Sequence, residues 1–201
     1  METIENQQKV WNNIASEWHK FKIDKPSEHV KEFLKGKSGN ILDVGSGSGR
    51  HLLKLKKSTL YLVDFSEKMI KLAKNKAKKE NIKAEFNVSN LTSLPYQDNF
   101  FDYAISIASL HCLKPENHSL AVKELYRVLK PKAEVLVEVW NKNSIRFKNS
   151  GKEKFISWRD KGKRYYYLFE EKEIFNLFKK NKFKIKKKLE HRVNISFIAQ
   201  K

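Results

Sequence analysis

Three glycines at alternate positions, Gly45, Gly47 and Gly49, follow the apolar run Asn40-Ile-Leu-Asp-Val44. Glycine is needed where a backbone turns sharply and lets a ligand approach its N–H groups. A loop that cradles a dinucleotide pyrophosphate would carry its third glycine where this chain has Arg50. Asp43, two residues before the first glycine, would repel a pyrophosphate and hold a ligand ammonium. Asp64 ends the next apolar run, placed to accept two ribose hydroxyls or, alternatively, to cap the helix that begins near Ser66. A cationic ligand end, a ribose and no pyrophosphate together point to S-adenosylmethionine. Further along, His111 follows the apolar run Phe101–Ile107, where it can meet a ligand or serve as a hydrogen-bonded histidine at a strand end. Trp140, Trp158, Tyr165 and Tyr166 interleave with Arg146, Arg159, Lys161, Lys163 and Arg164. Aromatic faces stack unpaired bases while cations hold phosphates or carboxylates. Tyr165, Tyr167 and Phe169 also fit the alternation of a strand's packed face.

The elements that must position these groups alternate. Residues 6–21 carry Val10, Ile14, Trp18 and Phe21 at helical spacing, with Trp11 and Trp18 as packing residues, one of them a candidate lid. A second helix follows Pro26 and ends near Gly36. Strands are expected at 40–44, 59–64, 84–88, 101–107 and 134–139, with helices at 50–57, from Ser66 onward and at 116–129. After Trp140 the pattern breaks, and residues 141–168 read as an insertion at the sheet edge or site mouth. A helix at 170–180 and a hairpin of strands at 182–190 and 193–200 close the chain. Strand–helix alternation implies an α/β fold with a doubly wound, Rossmann-like, mainly parallel sheet, N-terminal helices over 1–38 and a single domain over 1–201.

The chain has 201 residues, with 42 Lys+Arg against 23 Asp+Glu, for a net charge of +19. Hydrophobic residues at 40% exclude an unfolded polyelectrolyte, and no apolar run approaches the ~20 residues of a membrane span. The charge favours phosphate backbones or anionic surfaces, although lysine runs are also ordinary solvated faces. One cysteine, Cys112, excludes an intramolecular disulfide, and the first eight residues show neither a basic nor an apolar signal region. A cytoplasmic setting is the expectation. His19, His29, His51, His118 and His191 show no metal-ligand spacing, so no metal is assigned.

Ile41-Leu-Asp-Val-Gly-Ser-Gly-Ser-Gly49, Val63-Asp-Phe-Ser-Glu-Lys-Met69, Leu94-Pro95, Phe101-Asp102 and Arg127-Val-Leu-Lys-Pro131 resemble, in order, the motif series of class I S-adenosylmethionine-dependent methyltransferases. The resemblance implies donor contacts from Asp43, Gly45, Gly47, Gly49, Asp64, Phe65, Met69, Asn90, Leu91 and Ile107. Asn90 stands where an acid usually meets the adenine amino group, and Lys132-Ala133 replaces the usual glycines of that turn. A narrower set, Val10-Trp-Asn-Asn-Ile-Ala-Ser-Glu-Trp18, Ala104–His111, Glu138-Val-Trp140 and Arg164-Tyr-Tyr-Tyr-Leu-Phe169, resembles the tRNA wobble-uridine carboxymethyl methyltransferases of the Trm-nine and AlkB-like kind. Cys112 stands where that group often has a second histidine.

That resemblance implies esterification of the carboxylate of 5-carboxymethyluridine in the tRNA anticodon loop. An ionised carboxylate is already a nucleophile, so alignment matters more than a general base. His111, Arg159 and Arg164 are the candidates for acting on the acceptor, and Trp140, Trp158, Tyr165 and Tyr166 for binding it. The resemblance also implies a small zinc-binding Trm112-type activator, whose strand would add at an exposed Ala84–Val88 edge through Phe86 and Val88. Two rivals stay open: a small-molecule O- or N-methyltransferase with His111 as base, and a non-catalytic RNA-binding protein of the same fold.

Overall fold

A computed structural model describes residues 6–21 and 25–201; residues 1–5 and 22–24, part of the expected N-terminal helical region, lie outside the described residues. The apolar runs form strands β1 (Gly39–Val44), β2 (Ser58–Asp64), β3 (Ala84–Val88), β4 (Phe101–Ile107) and β5 (Leu129–Trp140). They pair in parallel. The C-terminal hairpin, β8 (Lys184–Leu189) and β9 (Asn194–Gln200), joins through β9 antiparallel to β5. The sheet order is β3-β2-β1-β4-β5-β9-β8. This is the doubly wound arrangement expected, with the strand order reversing between β1 and β4, where a ligand crevice opens.

Helices α1 (Gln7–Phe21), α2 (Glu28–Leu34), α3 (Glu67–Glu80), α4 (Pro115–Val128) and α5 (Glu171–Lys180) surround the sheet. On one side Val135, Val137 and Phe197 meet Val122 and Leu125 of α4 and Phe178 of α5. On the other, Ile41, Leu62 and Leu136 meet Val30 and Leu34 of α2 and Ala73 of α3. Edge strand β3 pairs only with β2 among the described strands, and its Val88 is exposed. The opposite edge, β8, carries Lys184, Lys186, Lys187 and Lys188, charges that discourage edge-to-edge pairing.

Three expectations change. No helix forms over 50–57. Gly45, Gly47 and Gly49 all take positive φ, and the stretch proceeds through single turns, Gly49 N–H to Ser46 O (3.1 Å) and Leu52 N–H to Gly49 O (3.2 Å). Strand β5 starts at Leu129 rather than at 134, because Lys130-Pro131 stays extended against a register shift between Phe101 and Tyr103, where proline's missing donor is tolerated. Lys132 itself takes φ 67°, adopting without glycine the left-handed bend glycine usually supplies. Finally, residues 141–168 contain a separate hairpin of β6 (Glu153–Ser157) and β7 (Lys163–Tyr167).

Helix α1 is tied to the rest by polar side chains. Ser66 caps α3 by accepting the Met69 N–H (3.2 Å) and donates to Asn12 Oδ1 (2.7 Å), which also accepts the Lys68 N–H. Ser66→Ala removes both the cap and the tether. It is expected to cost about 1–2 kcal/mol, or roughly 2–8 °C of melting temperature, checked by thermal unfolding.

Candidate functional site

The C-terminal ends of β1, β2 and β4 open into a cleft lined by Gly45, Gly47, Asp64, Phe65, Met69, Asn90, Leu91 and Ile107, together with Trp11 and Trp18 of α1. Gly45 has φ 71°, and a Cβ there would lie 2.3 Å from the Ser109 Cβ, so the glycine loop and the segment after β4 touch only because the side chain is absent. Gly49 does not line the cleft; a Cβ on it would strike Leu52 and crowd Ala73, so it lets the loop pack on α3. Asp64 accepts the Gly47 N–H through Oδ2 and the Ser66 N–H through Oδ1, both at 2.9 Å. Asp64 thus braces the start of α3 and also lines the cleft.

Asp43, expected from the sequence to contact the donor, is buried at the end of β1 behind the glycine loop and is not part of the cleft lining. Its Oδ2 is buried with no hydrogen-bond partner among the described residues, and its nearest basic group, His51 Nδ1, is 3.9 Å away. Burial, with nearby Arg50 and Lys76, pushes His51 down to about 3, so it stays neutral and offers no counter-charge. Burial, reinforced by Asp64, raises the Asp43 carboxyl to about 8, and burial against two backbone N–H donors raises Asp64 to about 6. Two carboxyls whose ionised forms are disfavoured by burial and lack a cation among the described residues would ionise more readily beside a cationic ligand, and Asp64 can accept from its hydroxyls. The residues fit S-adenosylmethionine: Asp43 and the glycine loop toward its ammonium end, Asp64 toward its ribose, Asn90 and Leu91 toward its base.

The loop carrying Asn90 to Pro95 is braced from behind. Arg127 grips Glu124 through Nε (2.7 Å) and Nη2 (2.8 Å), Asp98 through Nη1 (2.9 Å), and the carbonyls of Tyr96 and Leu94. Sequence reading had no role for this arginine beyond its motif.

Beside the cleft, alternation on β7 sorts the tyrosines. Tyr165 turns into the core, covered at its edge by the exposed Phe155, and is 1% exposed, so the structure does not bring it to the ligand side. Tyr167 and Phe169 likewise pack around His118. Arg164 and Tyr166 face the other way. The Tyr166 ring meets Trp140 at 4.2 Å, His111 at 5.6 Å and Trp11 at 6.5 Å. The Trp140 backbone N–H donates to His111 Nδ1 (3.1 Å), which leaves the proton of the neutral ring on Nε2; His111 is buried and absent from the cleft lining.

Arg164 is 6% exposed and sits in a cage of rings, over Trp18 (4.8 Å), Trp158 (5.0 Å) and Tyr166 (5.5 Å), with Nη1 donating to Tyr166 Oη (2.9 Å). Its Nε has no partner, and no carboxylate among the described residues pairs with it. Trp18 joins this cage to the cleft it lines. Arg159 is placed elsewhere: its exposed side chain pairs with Glu17 (3.5 Å), which also accepts the Trp158 Nε1–H (2.9 Å) and binds Lys161. The Lys161 and Trp158 hydrogen bonds hold the Glu17 carboxyl below its usual range. Trp158 thus walls Arg164, and Arg159 fastens the hairpin tip to α1. Trp11 and Trp18, one of them expected as a lid, both line the cleft, and Ser109 and Cys112 line it without having been assigned to donor binding from sequence.

Comparison with known proteins agrees with this geometry. A family profile described as a methyltransferase domain matches residues 41–132. Over 102 residues the chain is 41% identical to a tRNA (carboxymethyluridine(34)-5-O)-methyltransferase of Arabidopsis thaliana, covering 50% of this chain and 24% of that protein. Over 104 residues it is 40% identical to the ubiquinone/menaquinone biosynthesis C-methyltransferase UbiE of Rickettsia prowazekii, covering 47% and 41%. The chain thus spans well under half the length of these curated relatives. Among solved structures, a SAM-dependent methyltransferase of Methanosarcina mazei superposes with TM-score 0.70 at 26% identity over 88% of this chain and 98% of that one. The putative methyltransferase complexed with the Trm112 activator in Haloferax volcanii superposes at 0.74, with 13% identity over 98% and 97%. The chain has a class I methyltransferase fold, and the lining of its cleft fits S-adenosylmethionine. No helix among the described residues is long and apolar enough to cross a membrane.

The raised Asp43 carboxyl sets a pH dependence. Below about pH 4 folded and unfolded chains are both protonated there. Between about 4 and 8 the folded chain keeps a proton the unfolded chain has lost, so stability falls as pH rises. Asp43→Asn is expected to flatten that slope, raise the melting temperature at pH 8 by at least about 2–4 °C, and weaken donor binding by about tenfold or more. Thermal unfolding across pH, with and without S-adenosylmethionine, checks all three.

Proposed function

We propose that this class I S-adenosylmethionine-dependent methyltransferase esterifies a carboxylate on an unpaired nucleoside, the carboxymethyl group of the wobble uridine in a tRNA anticodon loop. The observation that carries the reading is Arg164, a buried cation without an anion, one ring away from the donor cleft. Arginine cannot shed its charge, and its ring contacts offset burial only in part. A carboxylate entering the cage completes it. The 41% identical stretch of the Arabidopsis tRNA methyltransferase and the net charge of +19 support the same substrate class.

When bound, S-adenosylmethionine supplies an electrophilic methyl on a sulfonium. The chain's own task is to hold the acceptor carboxylate by Arg164 in line with that methyl and to keep water out with Trp11, Trp18 and Tyr166. A carboxylate is ionised at neutral pH and needs no base. That agrees with His111, whose Nδ1 is already taken by the Trp140 N–H; His111 acts as a support for Trp140. An activator strand at the β3 edge, beside Phe86 and Val88, belongs to the same proposal. A second reading, transfer to a small quinone-type acceptor, rests on the 40% identity to UbiE.

The test is transfer of labelled methyl to tRNA bearing 5-carboxymethyluridine, with and without a Trm112-type protein, read by nucleoside mass analysis against a quinone precursor. A base-labile methyl ester on the nucleoside is expected; transfer only to the quinone precursor overturns the reading. Arg164→Ala is expected to lower kcat/KM for tRNA by at least about 30-fold while the donor still raises the melting temperature. Arg164→Lys restores only part, lacking the planar fork.

A further inference from the structure

The segment after β5 carries a feature that the donor cleft and the Arg164 cage do not use. Ile145 is 97% exposed, the most exposed of the large hydrophobic residues described. A lone exposed aliphatic is ordinary on a protein surface, but this one stands on a braced turn. The Lys142 N–H donates to Phe169 O (2.9 Å), and the Phe169 N–H to Trp140 O (3.1 Å). Ser144 donates through N–H and Oγ to Asn141 O (3.2 and 2.8 Å), and the Phe147 N–H returns to Ser144 O (2.9 Å). Phe147 is buried against Trp140, with ring centroids 5.0 Å apart. The turn is therefore fixed at both ends and presents Ile145 outward.

The surroundings of Ile145 are cationic. Lys142, Arg146 and Lys148 flank it, with Arg146 and Lys148 exposed and Lys142 half-buried. The Arg146 guanidinium lies 5.0 Å over Trp140, whose ring packs on Tyr166 and His111. Tyr166, Trp140 and Arg146 thus form a stack in which the guanidinium is the outer plate.

Resting on the acceptor reading above, we infer that the 142–148 turn is the element that selects an unpaired RNA loop: Ile145 wedges between two splayed bases, and Arg146 offers its plane to one of them while Lys142 and Lys148 meet phosphates. A fully paired duplex keeps its bases stacked and gives the wedge nothing to enter. Base stacking on a protein platform is sequence-tolerant and sensitive to truncation.

The experiment measures binding of the whole chain, with S-adenosylhomocysteine present, to a short RNA hairpin with an unpaired loop and to a duplex of equal length, over a range of salt. The wild-type chain is expected to prefer the hairpin. Ile145→Ser is expected to lose about fivefold or more on the hairpin and little on the duplex, with Ile145→Leu restoring binding. Arg146→Gln is expected to lose hairpin affinity with the salt slope little changed, and Lys148→Gln to flatten that slope by about one. The melting-temperature rise given by the donor serves as the folding control. A wild-type preference for the hairpin that Ile145→Ser leaves intact overturns the wedge and spares the acceptor reading. A wild-type chain that binds hairpin and duplex alike overturns the wedge, and one that binds neither also removes RNA as the partner.

Discussion

Buried charge without its partner is the constraint on which this protein is organised. Asp64 lines the cleft and Asp43 is buried behind its glycine loop, with no cation paired to either among the described residues, and Arg164 sits in a cage of rings nearby with no anion. Each is costly in the folded chain. The negative pair fits a cationic donor, and the isolated positive group fits an anionic acceptor. When both ligands are in place, the charges that destabilise the empty protein become its binding energy.

The scaffold holds these charges where they cannot relax. Gly45 lets the β1 loop touch Ser109, the Gly47 and Ser66 amides fix Asp64, and Arg127 locks the loop behind Asn90. Helix α1 joins the two halves of the site: Asn12 binds the start of α3, Gln7 accepts the Tyr165 N–H, and Glu17 binds the hairpin tip at Trp158 and Lys161. Trp18 of the same helix lines the donor cleft and lies under Arg164. On the proposed reading, donor and acceptor would both meet this one helix.

Much of this was legible in the residues. The parallel strands, the glycine turn, Asp43, Asp64 and the capping role of Ser66 follow from apolar runs, turn chemistry and short-range hydrogen bonding, all local properties. What depended on distant contacts was not legible. Residues 50–57 have helix-forming composition, yet the glycine turn leaves them without a helical face to pack, and they run through turns instead. The β6–β7 hairpin lies in a segment with no readable period, because its two faces are both aromatic or basic. On β7 the sequence offers Tyr165 and Tyr166 as equals; only the strand's orientation sends one to the core and the other to Trp140. Arg159 and Arg164 were equally eligible until Glu17, far away in sequence, captured the first.

The central claim is that the cage around Arg164 waits for a carboxylate. The most direct measurement is the affinity, with S-adenosylhomocysteine bound, for 5-carboxymethyluridine against its neutral amide, in the wild-type chain and in Arg164→Ala. The account predicts that the acid binds at least about tenfold more tightly than the amide, corresponding to about 1.4 kcal/mol, and that the difference disappears without the arginine. Equal affinity for acid and amide in the wild-type chain would contradict it.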